Sequence, residues 1–463
     1  MSNQDLGNKE SSSGAFDTGA ATHGSTAAGG FEIVSSPSSI SYSSRLPKLP
    51  CIMLEYTNHN PDFVGREPIL EQVAKALLPS QTKFVSSESE DLKRFAICGL
   101  GGVGKTEIAV EFALRYKDAY DAVFWIRADE LAKMDSRFSE IAVQLQLETA
   151  NESTSHVVSR ELVKGWLSKP WKWTKPEGEV RTAVEATWLI VFDNADDPQI
   201  LPDYWPIQGS GSVLITSRDP LSKSIFSTKP SGIDLEPLSD EDGAQLLKRL
   251  TDEEDSEHVA EDIAQVLGGL PLAISQMAGV IRRQELKLSE FLESYNDATE
   301  RASLFGSKFP LGHSMYPHTI SSVWVLDSLK PATRILLQVM AFLDPDCMQE
   351  NVLANFSTKL ILVGYPLSPA AFKDARTELI QASLVVRHKD REELTVHRLV
   401  QDSVRAKMTP EENLRTFWST VQLLWAQWPT AMGSPTKKGA PVVTPSFISS
   451  IDGRGVLHCI HMF

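Results

Sequence analysis

A chain of 463 residues with 42% hydrophobic and 23% charged side chains has room for two to four packed domains at roughly 150 residues each. Its formal charge of −15 argues against a primary role on DNA, RNA or an anionic membrane surface. No apolar run approaches the ~20 residues that a membrane-spanning helix needs. The cysteines Cys51, Cys98, Cys347 and Cys459 have neither disulfide-framework nor metal-site spacing, so a reduced, cytoplasmic protein is expected.

Residues 1–57 are rich in Ser, Gly, Ala and Thr, too poor in large apolar groups to offset their ordering entropy, and are predicted to be disordered. Phe31–Val34 is the one apolar knot in that segment. From 58 to 237, short apolar runs alternate with helical patterns, which predicts a parallel sheet covered by helices on both faces. The expected strands are Phe95–Cys98, Ala122–Ile126, Trp188–Phe192, Ser212–Thr216 and Gly232–Leu235. Cys98 reads as a small buried apolar residue. Between the first strand and a helix running on from Thr106 stands Gly99-Leu100-Gly101-Gly102-Val103-Gly104-Lys105-Thr106, the full G-x-x-x-x-G-K-[ST] phosphate loop. Such a turn aims backbone N–H groups and a helix N-terminus at one point, where negative charge is favoured. Lys105 is expected on the β- and γ-phosphates and the Thr106 hydroxyl on Mg²⁺. Farther on, Lys169–Pro176, with prolines and lysines around two tryptophans, reads as a surface loop.

The Mg²⁺ site needs a second protein ligand. Trp188–Phe192 is apolar throughout and ends in Asp193, which points that carboxylate at the sheet's ligand-binding edge. Many NTPases follow this acid with another that polarises the attacking water. Here the next residue is Asn194, which cannot take a proton, so either Asp196 substitutes or hydrolysis is slow. Beyond 238 the chain turns helical. Ser239 is a candidate N-cap before Asp240, Glu241 and Asp242, and helical spacing continues over Val259–Val266 and Leu272–Ile281. A Gly/His/Pro linker at 305–318 precedes a helical block, Ile320–Leu343. Two strand-like runs follow, Ala382–Arg387 and Leu394–His397, and helices before such a hairpin suit a winged helix. After about residue 430 the sequence is Gly/Pro/Ser/Thr-rich, without a repeat of about 34 or 40 residues.

An ordered set of motifs over residues 58–408 resembles the NB-ARC class of signalling NTPases, shared by apoptosome scaffolds, plant immune receptors and many fungal proteins. Phe63-Val64-Gly65-Arg66-Glu67 resembles its leading motif, whose backbone contacts adenine. Tyr120–Ile126 is similar to its second strand, and Gly211–Arg218 to its sensor strand, whose terminal arginine, Arg218, would sense the γ-phosphate. Gly269-Leu270-Pro271-Leu272-Ala273 resembles its most specific signature, with Pro271 lying against adenine. Val396-His397-Arg398 stands where the class has Met-His-Asp, whose histidine, here His397, touches the β-phosphate at rest. Asn194 and Arg398 depart from the usual acids, in a manner that resembles fungal members.

The resemblance implies an α/β P-loop NTPase fold, a parallel sheet flanked by helices (58–237), then an all-α subdomain (238–310), a winged-helix subdomain (311–410), and a helical remnant and disordered tail (411–463). It implies an ADP/ATP switch with Mg²⁺ on Thr106 and Asp193. The nucleotide would be held by Val64, Gly65, Arg66, Gly99, Gly101, Gly102, Val103, Gly104, Lys105, Thr106, Glu107, Pro271 and His397. Asp193, Asn194 and Arg218 would surround the reacting phosphate. Exchange for ATP would open the chain and let copies assemble into a homo-oligomer, with slow hydrolysis and an effector or sensor protein as partner, in a signal-transduction or innate-immunity role. Membrane and nucleic-acid partners are not expected. The alternatives are a truncated or decoy regulator, an ATPase motor and a winged-helix DNA-binding regulator.

Overall fold

The computed structural model describes residues 47–79, 92–151, 155–174, 182–206, 209, 211–226, 229–252, 257–297, 324, 326–354 and 362–426. Phe31–Val34, the 305–318 linker, Cys459 and the segment after 430 lie outside them.

The near-continuous apolar runs form one parallel sheet. Its strands are β1 (Cys51–Met53), β2 (Lys93–Cys98), β3 (Ala122–Arg127), β6 (Trp188–Asp193), β7 (Ser212–Ser217) and β8 (Gly232–Asp234), in the order β1-β3-β6-β7-β2-β8. Every pairing is parallel. Side chains alternate across the sheet, so an all-apolar strand feeds two cores. Val123, Trp125, Leu189 and Val191 enter one core, beneath α1 (Glu67–Leu77) and α2 (Lys105–Tyr116). Phe124, Ile126, Trp188, Ile190 and Phe192 enter the other, beneath α3 (Leu131–Gln144) and α4 (His156–Ser168).

Two expectations need correction. Residues 47–57 are not disordered: Cys51 is buried, its N–H donates to the Asp121 carbonyl at 2.9 Å, and Cys51–Met53 adds an edge strand beside β3. Three residues are too few to alter a composition dominated by Ser and Gly. Residues 169–174 are not a simple loop either, and the rest of that stretch, 175–176, lies outside the described residues. Trp171–Thr174 (β4) pairs antiparallel with Thr182–Glu185 (β5), and Pro170 precedes the strand rather than interrupting its ladder.

The helical region comprises α5 (Asp240–Thr251), α6 (Glu257–Val266), α7 (Pro271–Gln284) and α8 (Leu288–Asn296). Ser239 caps α5 as expected, its hydroxyl accepting the Asp242 N–H at 3.1 Å. Then come α9 (Pro331–Met340), β9 (Met348–Gln349), α10 (Glu350–Ala354), α11 (Pro369–Gln381), β10 (Val385–His388) and β11 (Glu393–Val396), the element order of a winged helix. Its three strands form an antiparallel sheet, β10-β11-β9. The Glu350 carboxylate joins it together, pairing with Arg376 at 2.6 Å and with Arg387. The block expected from Ile320 becomes a short turn, Leu326–Ser328, before α9, and residues 320–323 are outside the described set. Two further helices follow, α12 (Arg398–Lys407) and α13 (Pro410–Ala426). The expected remnant thus packs as α13, with Leu423 buried.

One apolar core runs through all of this. The same cluster that holds Val191 also holds Leu247 and Ile274 of the helical region, and Leu336, Leu399 and Leu423 beyond it. No helix among the described residues is long and apolar enough to cross a membrane.

Gly211 precedes β7 where a Cβ would lie 2.0 Å from the Trp188 indole, itself fully buried. Gly211→Ala should therefore destabilise the fold by about 1–3 kcal/mol. The denaturant midpoint should fall with an unchanged slope; an unchanged midpoint would contradict this packing.

Candidate nucleotide site

The sheet order sets β7 between β2 and β6, so the C-terminal ends of these three strands lie side by side. After Cys98 the backbone curls through Gly99–Gly104 into α2. Gly104 sits at φ +101° as the N-cap, a conformation that strains any L side chain. Lys105, the first helical residue, is buried, and its Nζ donates to the carbonyls of Gly99 at 2.8 Å and Leu100 at 3.1 Å. Burial pulls its pKa down to about 8, so an anion entering the loop would restore its preference for charge.

Thr106 donates its hydroxyl to Asp193 Oδ1 at 2.8 Å, and Thr216 donates to the same oxygen at 2.6 Å. Burial raises the Asp193 pKa, against the two hydroxyl hydrogen bonds that lower it. Thr216 also accepts the Asn194 N–H at 2.8 Å, where Asn194 turns left-handed at φ +62°. The expected Mg²⁺ pair, Thr106 and Asp193, is thus brought into contact. No cluster of three His, Cys, Asp or Glu suited to a metal occurs among the described residues. One hydroxyl and one carboxylate fit a Mg²⁺ ion that takes its remaining ligands from phosphates and water.

A cavity of ≈ 900 Å³ opens over this edge, within the roughly 300–1,000 Å³ of small-molecule sites. Of the expected residues, Val64, Arg66, Gly101, Gly102, Val103, Gly104, Lys105, Thr106, Glu107, Asp193, Asn194, Arg218 and Pro271 line it. Pro271 opens α7, and the Leu272 N–H donates to the Gly102 carbonyl at 3.2 Å, docking that helix on the phosphate loop. Arg66 is buried and donates to the carbonyls of Val103 at 3.3 Å and Glu236 at 2.8 Å; burial lowers its pKa. It rivets the loop rather than reaching out as a free cation. Gly65 and Gly99 stand outside the lining. A Cβ on Gly65 would meet the Asp242 carboxyl at 2.5 Å, and the Gly99 carbonyl serves Lys105. Arg218 is held by Asp196, which accepts its backbone N–H at 2.8 Å and pairs with Nε at 3.1 Å.

His397 is the clear departure. It is not among the lining residues. Its Nε2 lies 2.8 Å from the Gly268 carbonyl, and its Nδ1 accepts the Leu399 N–H at 3.2 Å, capping α12. With Nδ1 accepting, the ring proton is on Nε2. Burial lowers the pKa and keeps the ring neutral. A Cβ on Gly268, which has φ +60°, would lie 2.4 Å from the ring. His397 therefore clamps the turn leading into Pro271 instead of facing a phosphate. Arg398 points away, paired with Asp346 at 3.1 Å.

Sequence reasoning missed two parts of the lining. Ser328, Leu329, Glu378, Gln381, Ala382 and Leu384 close the cavity from the winged-helix side, and the Ser383 hydroxyl donates to the Arg218 carbonyl. Nothing in the local pattern marks these residues. Glu55, Tyr56, Arg127 and Asp129 also line the cavity. Arg127 follows from the ligand-edge rule, because it ends the strand beside β6, and Asp129 lies two residues beyond that end. A smaller cavity, ≈ 440 Å³, lies between α9 and α13 and contains no phosphate-loop residue.

A family model described as a domain of unknown function, DUF7779, matches residues 324–413. A nucleotide-binding leucine-rich repeat (NLR)-like protein of Hyaloscypha variabilis is 32% identical over 260 residues, covering 52% of this chain and 24% of that one. The chain thus spans about a quarter of that relative's length. Among solved structures, the Aeropyrum pernix ORC2 protein in ADPNP–ADP complexes aligns with TM-score 0.45 and 10% identity, over 80% of this chain and 98% of that one. A signal transduction ATPase with numerous domains (STAND) and a tetratricopeptide repeat sensor, from Pyrococcus horikoshii, aligns with TM-score 0.30 and 15% identity, over 81% and 47%.

The depressed His397 pKa has a sign that can be read. An unfolded His titrates near its ordinary 6.5, so below that pH the unfolded chain binds a proton that the native ring resists. Stability from this group is complete above pH 6.5 and is lost as pH falls from there toward the native pKa. His397→Gln should flatten this part of the denaturation-midpoint profile between pH 7 and 5; an identical profile would contradict the buried, neutral ring.

Proposed function

We propose that the chain, an NB-ARC-like P-loop NTPase, is a nucleotide-operated signalling switch. It holds ADP when closed, opens and assembles on exchange for ATP, and hydrolyses ATP slowly. The observation that carries this reading is that the cavity over the phosphate loop is walled by three regions at once: the sheet, the start of α7, and the α11–β10 segment. The division at 58–237, 238–310 and 311–410 belongs to the same proposal. A ligand in such a cavity feels every change in how the regions meet. The Ser383 hydroxyl on the Arg218 carbonyl ties the third region to the residue expected to sense a γ-phosphate.

A nucleotide shifts the closed–open balance only through its differential affinity for the two states. Reversing a 99:1 population takes about 5.5 kcal/mol of that difference. Charge-assisted contacts from Lys105 and Arg218 to one added phosphate, with Thr106 and Asp193 holding Mg²⁺, are of the right kind to supply it. Mg²⁺ would neutralise phosphate charge there. The chain's own residues bind and orient: Lys105 and the loop N–H groups take the phosphates, Pro271 and Val64 flank the base, and His397 fixes the turn that presents Pro271. An effector or sensor protein and a cytoplasmic setting complete the proposal.

Lys105→Ala should abolish binding of fluorescent ADP. Ser383→Ala should speed ADP release by roughly five-fold, the equivalent of about 1 kcal/mol for a lost hydrogen bond. Stopped-flow displacement measures both, and unaltered ADP retention in the two variants would overturn the reading.

A further inference from the structure

A third phosphate adds negative charge to the site, and a cation able to change partners can register it. Among the described residues, four cationic side chains line the cavity: Arg66, Lys105, Arg127 and Arg218. Three are firmly engaged. Arg66 donates to two backbone carbonyls, Lys105 Nζ donates to two more, and Arg218 Nε pairs with Asp196 at 3.1 Å. Arg127 is held more loosely. Its guanidinium lies 3.5 Å from Glu55 and 3.6 Å from Asp129, and its side chain is 52% exposed. Both separations exceed the ~2.7–2.9 Å of a charge-assisted hydrogen bond.

The sheet places Arg127 beside the expected Mg²⁺ pair. Residues two apart on a strand share a face. Val123 and Trp125 on β3, Leu189 and Val191 on β6, and Leu214 on β7 all enter the core beneath α2. Arg127, Asp193 and Thr216 continue these alternations, so all three leave the sheet on the face that α2 covers. Arg127 is the register partner of Asp193, one strand spacing of about 4.8 Å away. Asp193 Oδ1 in turn accepts from Thr106 and Thr216, so Arg127 flanks Asp193 on the side opposite β7. Burial lowers the Arg127 pKa, but Asp129, Glu55, Tyr56 and Asp193 outweigh it and raise the value. Its charge is therefore felt at Asp193. Glu55, the other ionisable group in this corner, is an anion that repels phosphate, and its part is to hold Arg127 while no third phosphate is present.

We propose that Arg127 is a specificity residue that favours ATP over ADP, leaving Glu55 and Asp129 for the oxygens of the γ-phosphate. The inference rests on the nucleotide-switch reading and deepens it. The loop N–H groups cradle phosphates that ADP also has, while Thr106 and Asp193 hold Mg²⁺. A third phosphate would extend past the loop to that ion, and Arg127 is the next cation beyond Asp193. Its planar fork can take two oxygens at once. ADP presents nothing there, so the resting pairs with Glu55 and Asp129 persist. Arg218 approaches from the β7 side of Asp193, and Arg127 from the β3 side.

The test measures affinities for fluorescent ADP and for a fluorescent, non-hydrolysable ATP analogue, each with Mg²⁺. It compares the full chain with Arg127→Ala, Arg127→Gln and Arg127→Lys. Arg127→Ala should bind the ATP analogue about ten- to a hundred-fold more weakly, the range for losing a hydrogen bond to a charged group, with ADP affinity within about two-fold of the parent. Arg127→Gln, which keeps an amide donor without the charge, should show the same selective loss and gives the readout where the alanine variant does not fold. Arg127→Lys, which keeps the charge without the fork, should recover part of the loss. An unchanged affinity for the ATP analogue, or an equal loss toward both nucleotides, would overturn the assignment. Failure of the parent chain to bind either nucleotide would overturn the switch reading itself.

Discussion

The site depends on one buried carboxylate. Asp193 ends β6 with Oδ1 shared between Thr106, on the first turn of the phosphate-loop helix, and Thr216, on the neighbouring strand. That convergence requires β7 to lie between β2 and β6, and it requires the three strands to run parallel so that their C-terminal ends coincide. The apolar sequences of β3, β6 and β7 enforce the arrangement, since each must bury both faces. Burial leaves Asp193 with a raised pKa and Lys105 with a lowered one, so each is held against its charged form by desolvation. A Mg²⁺–phosphate group would answer both, giving the carboxylate a cation and the ammonium an anion.

A second consequence follows from the shared core. The helices after 238 bury their apolar faces in the same cluster as α1 and α2. Their approach brings the N-terminus of α7 onto Gly102 and the end of α11 over Arg218. Gly268 and His397 belong to this docking. The ring takes up space that a side chain at 268 would otherwise occupy, and its two nitrogens join the turn before Pro271 to the start of α12. His397 thus links the start of α12 to the turn before Pro271 through backbone groups.

Much of this was legible in the sequence. The phosphate loop, the Asp193 strand end, the β7 strand and the Ser239 cap are local patterns whose physics is complete within ten residues, and each stands where expected. The edge strand at 51–53 and the strand at 171–174 were hidden because their pairing partners lie elsewhere in the chain, at Ala122–Phe124 and Thr182–Glu185. The role of His397 was hidden for the same reason. A motif gives the residue type, whereas only the packing of α12 against the Gly268 turn decides what the ring touches. Glu378, Gln381 and Ser383 sit at the end of an ordinary amphipathic helix, and no rule of spacing would single them out.

The most direct measurement is the identity and stoichiometry of the nucleotide that co-purifies with the chain, released by denaturation and separated by ion exchange. A closed switch whose cavity is walled by all three regions predicts close to one ADP per chain. An empty site, or one filled and emptied rapidly by either nucleotide, would contradict the account, because the contacts at Gly102 and Arg218, which border the cavity, would then not be retaining a ligand in it.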